Sequence, residues 1–307
     1  MVIQLEKVCY EYGAGGPWAL AALQDIDLSV EGGRFIGIAG TTGSGKSTLL
    51  QLLNGIIRPA SGRVAVLDTV ITGGEKPPKL HGLRRRVGLV FQFPEQQMFE
   101  ETVEKDLIFG PMNFGVGEED AKRLARKAMD KMGLDPALLQ CSPFELSGGQ
   151  MRKAAIASVL AMEPDILVLD EPAATLDPES RTELISMLRR LCTEEGRTVI
   201  MVTHRMDEVL PAADSWVIMH EGRCVFSGTA KELAGNPQVL ELSGMAMPLP
   251  LRCWSTLAER FGLQEEEPCF TAEALAGRIA ALRKSSGTSG AGQSAGRTGE
   301  STCATSC

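Results

Sequence analysis

No stretch of this 307-residue sequence is apolar over the roughly 20 residues needed to cross a bilayer; runs such as Thr198 to Thr203 are short and bounded by charge. Any role at a membrane therefore comes through a partner. An excess of positive charge is also missing, since Lys+Arg 31 against Asp+Glu 39 leaves a net charge of -8. That removes the global electrostatic case for wrapping nucleic acid, although an acidic chain can still hold a nucleotide in a local nest of amides. The eight cysteines form no C-x-x-C pair and only three histidines accompany them. Neither a disulfide framework nor a zinc site is expected, and the thiols read as reduced, mostly small core fillers. The segment Met1-Val2-Ile3-Gln4-Leu5-Glu6-Lys7 has no basic stretch followed by an apolar core, so a secretory signal is not expected and a cytosolic location is. The length allows one large domain and a small appendage.

What is present centres on Gly40-Thr41-Thr42-Gly43-Ser44-Gly45-Lys46-Ser47-Thr48, which fits the phosphate-loop pattern G-x-x-x-x-G-K-[ST]. Phe35-Ile36-Gly37-Ile38-Ala39 before it reads as a buried strand and Leu49-Leu50-Gln51-Leu52-Leu53 after it as a helix, which is the setting the pattern requires. Glycines let the backbone wrap phosphates, the helix N-terminus attracts their charge, and Lys46 reaches the β and γ oxygens. Ser47 offers its hydroxyl to Mg²⁺. The alternative is a glycine-rich strand-to-helix turn without a ligand.

Val2 to Tyr12 and the alternating Asp25-Ile26-Asp27-Leu28-Ser29-Val30 predict two half-buried strands joined by a Gly- and Ala-rich loop over Gly13 to Ala22. Tyr12 is better placed than Tyr10 to stack on an adenine; the alternative is a core aromatic. Gly62 to Leu67 predicts another strand, followed by a polar loop through Lys76-Pro77-Pro78-Lys79. The strand Val87 to Phe91 ends on Gln92, where a glutamine faces the ligand crevice and can reach the metal or the attacking water. Helical spacing returns over Thr102 to Phe109 and Glu118 to Met132. Ser147 then caps a helix whose apolar face holds Ala154, Ala155, Val159 and Leu160; with Gly148, Gly149 and Gln150 it presents a second anion site. Asp165 to Glu171 is a continuous apolar strand that delivers Asp170, for Mg²⁺, and Glu171, as general base on water. Asp177-Pro178 opens a helix over Glu179 to Cys192, and the strand Thr198 to Thr203 ends on His204, placed to contact a γ-phosphate.

In this order the pieces resemble the ATP-binding-cassette (ABC) family over about residues 1 to 235. The resemblance makes Gly40 to Thr48 the Walker A loop, Gln92 the Q-loop glutamine and Leu146-Ser147-Gly148-Gly149-Gln150 the signature; Walker B ends at Asp170-Glu171, Asp177 belongs to the D-loop and His204 is the switch histidine. It implies an α/β fold: a P-loop NTPase cassette with a RecA-like core, an N-terminal antiparallel β-subdomain, a helical signature subdomain inserted over about 93-160 and a small helical C-terminal extension. It also implies ATP and Mg²⁺, and a head-to-tail pair of cassettes, either paralogues or two copies, in which one signature closes over the other's ATP.

Phe91 to Val103 and Ser142 to Arg152 further resemble the ATP-binding subunit of energy-coupling-factor (ECF) vitamin and metal importers, in particular its second paralogue. That resemblance implies peripheral attachment to the cytoplasmic face of the membrane through a transmembrane coupling subunit and a substrate-binding membrane subunit. The chain departs from the pattern at Ala173-Ala174-Thr175, where Thr-Ala-Gly is more usual. Glu95, Glu100, Glu101 and Glu104 either form a solvated acidic face or receive basic coupling helices. Residues 236-284, with Met245-Ala246-Met247 and helices over Leu251 to Phe261 and Thr271 to Leu282, are similar to the extension through which such cassettes pair; Ser285 to Cys307 reads as a disordered tail. The alternatives are another ABC importer or exporter, and a soluble cassette that clamps nucleic acid or ribosome, whose long inserted coiled coil or basic linker is absent.

Overall fold

Alternation sets the first pair of elements. In Ile3–Tyr12 (β1) and Leu20–Val30 (β2), buried Ile3, Leu5, Val8, Ile26, Leu28 and Val30 share one face, and the strands pair antiparallel from Ile3↔Val30 to Tyr12↔Leu20. The loop expected over Gly13 to Ala22 therefore closes before Leu20. Hydrogen bonding to the far end of β1 carries β2 beyond the part that alternates. Phe35–Ala39 (β3), buried at every position, leads into Lys46–Leu53 (α1). Ser61–Val66 (β4) and Thr69–Thr72 (β5) complete a four-stranded antiparallel sheet in the order β2-β1-β4-β5. β5 is too short to announce itself by period and owes its existence to pairing with β4.

The computed structural model describes residues 1–76, 78–263 and 268–288, with side chains through 283, and divides into a unit spanning Met1–Leu249 and another that begins at Pro250. In the first unit, His81–Arg86 (α2) precedes the buried strand Val87–Val90 (β6). Val103–Asn113 (α3), Glu118–Lys131 (α4) and Gly148–Leu160 (α5) pack on one another as the helical block, with α5 also reaching β6. Then come Ile166–Asp170 (β7), Pro178–Glu195 (α6), Thr198–Val202 (β8), Met206–Val209 (α7), Ser215–His220 (β9), Arg223–Gly228 (β10), Ala230–Ala234 (α8) and Pro237–Leu242 (α9). A six-stranded sheet runs β10-β9-β3-β8-β7-β6, parallel except for the β9–β10 hairpin.

The main core lies between the two sheets, where Leu49, Leu50, Leu52 and Leu53 of α1 meet Leu5, Val64, Ile38 and Val168. Every residue of β3, β7 and β8 is buried, as strands covered on both faces should be. The α/β class, the RecA-like core, the N-terminal antiparallel sheet and the helical block are thus all present. In the second unit, Leu249–Phe261 (α10) and Ala272–Thr288 (α11) supply Trp254, Ala258 and Leu275, which gather with Cys269 and Leu263 in a small cluster. Arg278 lies over the Trp254 ring at 5.6 Å. α11 runs past Ser285, where the tail was expected to start; the remainder of that tail lies outside the described residues.

Cys192 and Cys269 are buried, whereas Cys9, Cys141, Cys224 and Cys253 are half-buried. The core-filler reading thus holds for two of them. Burial pushes the Cys192 thiol up to about 11. No helix among the described residues is long and apolar enough to cross a membrane.

Candidate functional site

Where β3 ends, the chain turns through Gly40 to Gly45 into α1. Gly45 has φ 97°, and a Cβ there would lie 2.5 Å from the Ala22 carbonyl oxygen; only glycine fits. α1 starts on this glycine with no side-chain cap, so its first-turn amides are left to an external acceptor. Lys46 is 6% exposed and folds back over the loop, its Nζ donating to the carbonyls of Gly40 and Thr41 at 2.8 Å each. Burial lowers its pKa below the ordinary lysine value, against the pull of the Glu171 and Asp170 carboxylates.

A cleft of about 330 Å³ opens over this loop and is lined by Tyr12, Gly43, Gly45, Lys46, Ser47, Thr48, Gln92, Glu171 and His204. The Tyr12 hydroxyl is 3.2 Å from that of Thr48, and its ring meets Tyr10 edge-on at 4.9 Å between centroids. Tyr12 is half-free at the cleft while Tyr10 packs against the core. Leu20, Ala21 and Ala22 also line the cleft. Sequence reasoning assigned them to a loop; pairing with β1 places Leu20 opposite Tyr12 and Ala21 opposite Glu11. On the outer side of the loop, Thr41, Thr42 and His204 share a second cleft of about 530 Å³ with Gly244 to Leu249. No pattern in the sequence links that segment to the phosphate loop.

Asp170 closes β7 and is 8% exposed. Glu171 follows with φ 49°, a left-handed backbone that costs a non-glycine residue on the order of 1–2 kcal/mol. Its amide donates to the Val202 carbonyl at 3.1 Å, and its Oε1 lies 2.6 Å from Nε2 of His204. The Thr203 amide donates to Ile38, so the chain that carries His204 is tied to β3. A carboxylate and an imidazole in contact at the mouth of a phosphate-sized cleft can orient a water and accept its proton.

Other expected residues stand elsewhere. Ser147 accepts from the Gln150 amide at 3.3 Å while Gln150 Oε1 accepts from the Ser147 amide at 3.0 Å, a reciprocal cap on α5. Gly148 faces open space. None of Ser147, Gly148, Gly149 and Gln150 lines the cleft over the phosphate loop. Asp177 caps α6, accepting from the Ser180 amide at 3.0 Å, and the hydrogen bonds from Ser180 hold its carboxyl below the usual range. Glu95, grouped above with the acidic face, instead pairs with Arg152, which is 1% exposed and reaches it from Nε at 3.2 Å and Nη2 at 3.0 Å. Arg152 also donates to the Pro172 carbonyl at 3.3 Å. One guanidinium thus joins the segment after Gln92, the helix capped by Ser147 and the residue after Glu171. The only sequence signal for it is an arginine set next to the alanine face of α5.

A sequence model of the ABC transporter family matches residues 23–174, and one described as an AAA domain, putative AbiEii toxin, type IV TA system, matches residues 140–210. The chain is 46% identical to the energy-coupling factor transporter ATP-binding protein EcfA2 of Bacillus thuringiensis strain Al Hakam, over 94% of this chain and 98% of the relative. The protein of that name from Geobacillus kaustophilus is 47% identical, over 92% and 97%. Among solved structures, a dimeric post-hydrolysis state of the ATP-binding cassette MJ0796 bound to ADP and Pi superposes with TM-score 0.67 at 26% identity, covering 74% of this chain and 98% of that one. The cbiO1 protein of Clostridium perfringens, part of the ABC transporter complex cbiONQ, does so with TM-score 0.66 at 30% identity, covering 92% and 98%. With close identity over nearly the whole length and a shared fold, the chain belongs to the ATP-binding proteins of energy-coupling factor transporters, within the ABC transporter family.

Proposed function

We propose that the chain is the ATP-hydrolysing subunit of an ECF-type importer, in which two cassettes close on ATP and drive uptake of vitamins or metal ions through membrane partners. The observation that carries this reading is the separation of two anion sites. The uncapped helix α1 with Lys46, Glu171 and His204 forms one, and the helix α5 that begins after Ser147 presents another outside that cleft. A head-to-tail partner that brings Ser147 and Gly149 to the first site of the other cassette uses both; that the MJ0796 cassette structures are dimeric supports pairing of cassettes. Asp177, exposed at the start of α6, then faces the partner.

Each side chain has a part in this reading. The amides of Gly43 to Thr48 and Lys46 Nζ hold the phosphates, and Tyr12 stacks on the adenine. Glu171 takes the proton of the attacking water; His204, in contact with Glu171, holds it in place and touches the γ-phosphate. The donor set of Ser47, Gln92 and Asp170 suits Mg²⁺, a hard cation that takes oxygen ligands. Ser47, Gln92 and Asp170 would hold the ion together with oxygens of the nucleotide. When bound, Mg²⁺ neutralises charge on the phosphates.

The membrane partners dock on the helical block. Phe109 on α3 and Phe91, Phe93 and Phe99 in the segment between β6 and α3 are 39–62% exposed, and Phe99 and Phe109 meet edge-on at 5.0 Å. Large apolar side chains left in water, two of them in contact, suit a protein partner. The chain thereby sits peripherally on the cytoplasmic face. Glu171→Gln tests the hydrolytic assignment: ATP binds normally while turnover falls about 10²-fold or more and the pair of cassettes stays closed. Unchanged turnover removes Glu171 from the mechanism.

A further inference from the structure

His204 is held to the strands behind it, but its neighbours also tie it to α6, the helix that Asp177 opens. Arg181 lies in the first turn of that helix, its amide bonded to the Asp177 carbonyl at 3.0 Å. It is 7% exposed, and its Nη1 lies 2.9 Å from Glu208 Oε1, an ion pair that is not aligned as a hydrogen bond; its Nε has no partner among the described residues. The same Glu208 oxygen accepts from Nη1 of Arg205 at 3.2 Å. Arg205 follows His204 directly, and its amide is bonded to the Thr203 hydroxyl at 2.9 Å. One carboxylate thus bridges a cation on α6 to a cation beside the histidine that touches Glu171.

α6 also packs on β8, the strand that leads into His204, and the charge pairing is a second, directional link. Glu171, His204 and Glu208 line a cavity of about 220 Å³ together with Ala173, Ala174 and Arg205. Two methyl groups face it where longer side chains would fill it. Charge pairing with a nine-tenths buried guanidinium joins the start of α6 to the residue beside the histidine.

We infer that Glu208 is a positioning residue for hydrolysis: through Arg181 and Arg205 it makes the placement of His204 against Glu171 conditional on the placement of α6 and of Asp177 at its start. Without the bridge, nucleotide still binds, since every group around the phosphate loop is untouched. Only the geometry of the Glu171–His204 pair is loosened. The inference rests on the assignment of Glu171 and His204 as the hydrolytic pair.

The test measures ATP turnover and direct ATP affinity for the full-length chain in the assembled transporter, comparing Glu208→Gln, Arg181→Met, the double variant and Glu171→Gln. The single variants should lower kcat about tenfold, with KM and ATP affinity within about twofold of the parent, and the double variant should fall no further than the worse single. Glu208→Asp should recover part of the loss. A Glu208→Gln kcat within about twofold of the parent overturns the inference, as does a loss carried by KM or one that adds in the double variant. Should Glu208→Gln fail to fold, Arg205→Met decides: its side chain is 55% exposed, and normal turnover in that variant overturns the bridge. Turnover that survives Glu171→Gln sinks the hydrolytic assignment itself, whereas loss there with none at Glu208 sinks the bridge alone.

Discussion

Lys46 illustrates how a single residue was legible and yet incompletely so. The motif names it, because a lysine after two loop glycines has one recurrent use, but its burial and its hold on the Gly40 and Thr41 carbonyls are properties of the folded loop. Lys46→Ala should weaken ATP binding by on the order of 2 kcal/mol, roughly thirtyfold in Kd; titration of the nucleotide checks this, and normal affinity would count against the whole site. Asp106 had no motif to name it. It is 5% exposed, and its Oδ1 accepts from the amides of Phe99 and Glu100 at 3.1 and 3.2 Å. Burial raises its pKa, with Glu100 adding to the effect and the two amides opposing it. A carboxyl whose folded pKa lies above its unfolded value stabilises the fold below the unfolded pKa and loses that contribution as pH rises through the folded one. Asp106→Asn keeps an acceptor for both amides without burying a charge. The parent should therefore gain in melting temperature relative to Asp106→Asn as the medium is taken from about pH 8 to about pH 4, and a difference that stays flat would refute the argument.

Elements were readable in proportion to how much they carry their own period. β3, β7 and β8 are continuous apolar runs, and α5 and α6 open on Ser147 and Asp177, side chains that cap a helix through local geometry alone. β5, β9 and β10 were missed; β5 is a strand through pairing with β4 and β10 through pairing with β9, while β9, a short apolar run, pairs with β3. β9 brings Trp216, fully buried, across the middle of β3, where the absent side chain of Gly37 makes room for its ring. A Cβ at Gly37 would stand 2.6 Å from that ring. Gly37→Ala should cost about 1–3 kcal/mol of stability through overpacking, read as a lower denaturant midpoint with an unchanged slope. A midpoint equal to the parent's would mean that β9 yields easily and that the sheet is less tightly built than its burial indicates.

At the scale of the whole molecule, the two proposed anion sites do not meet within one chain, so hydrolysis should depend on association. Specific ATPase activity of the isolated chain should fall on dilution across roughly a hundredfold range around the dimer dissociation constant, by mass action. A rate per chain that ignores concentration would show a self-sufficient monomer. Docking to the membrane belongs to the same scale. Glu101 pairs with Lys105 at 2.5 Å in the open, beside exposed Phe99, whereas Glu95 is committed to Arg152. On the proposal that a basic partner docks here, Glu100→Lys combined with Glu101→Lys should leave ATP binding intact and abolish assembly with the membrane subunits and substrate uptake through charge repulsion. Uptake that survives in reconstituted vesicles would place the docking surface elsewhere.

By itself the sequence determined the phosphate loop, the paired carboxylates at Asp170 and Glu171, the capped helices and the family, because each depends on residues close in the chain whose chemistry needs a set spacing. Tertiary structure alone decided which of these meet. It set His204 on Glu171 across β7 and β8, left Ser147 outside the cleft, and joined Arg152 to Glu95 and Arg181 to Glu208. Those contacts span strands and helices far apart in the chain, and their geometry follows from sheet order and from the core around α1, which no local pattern encodes.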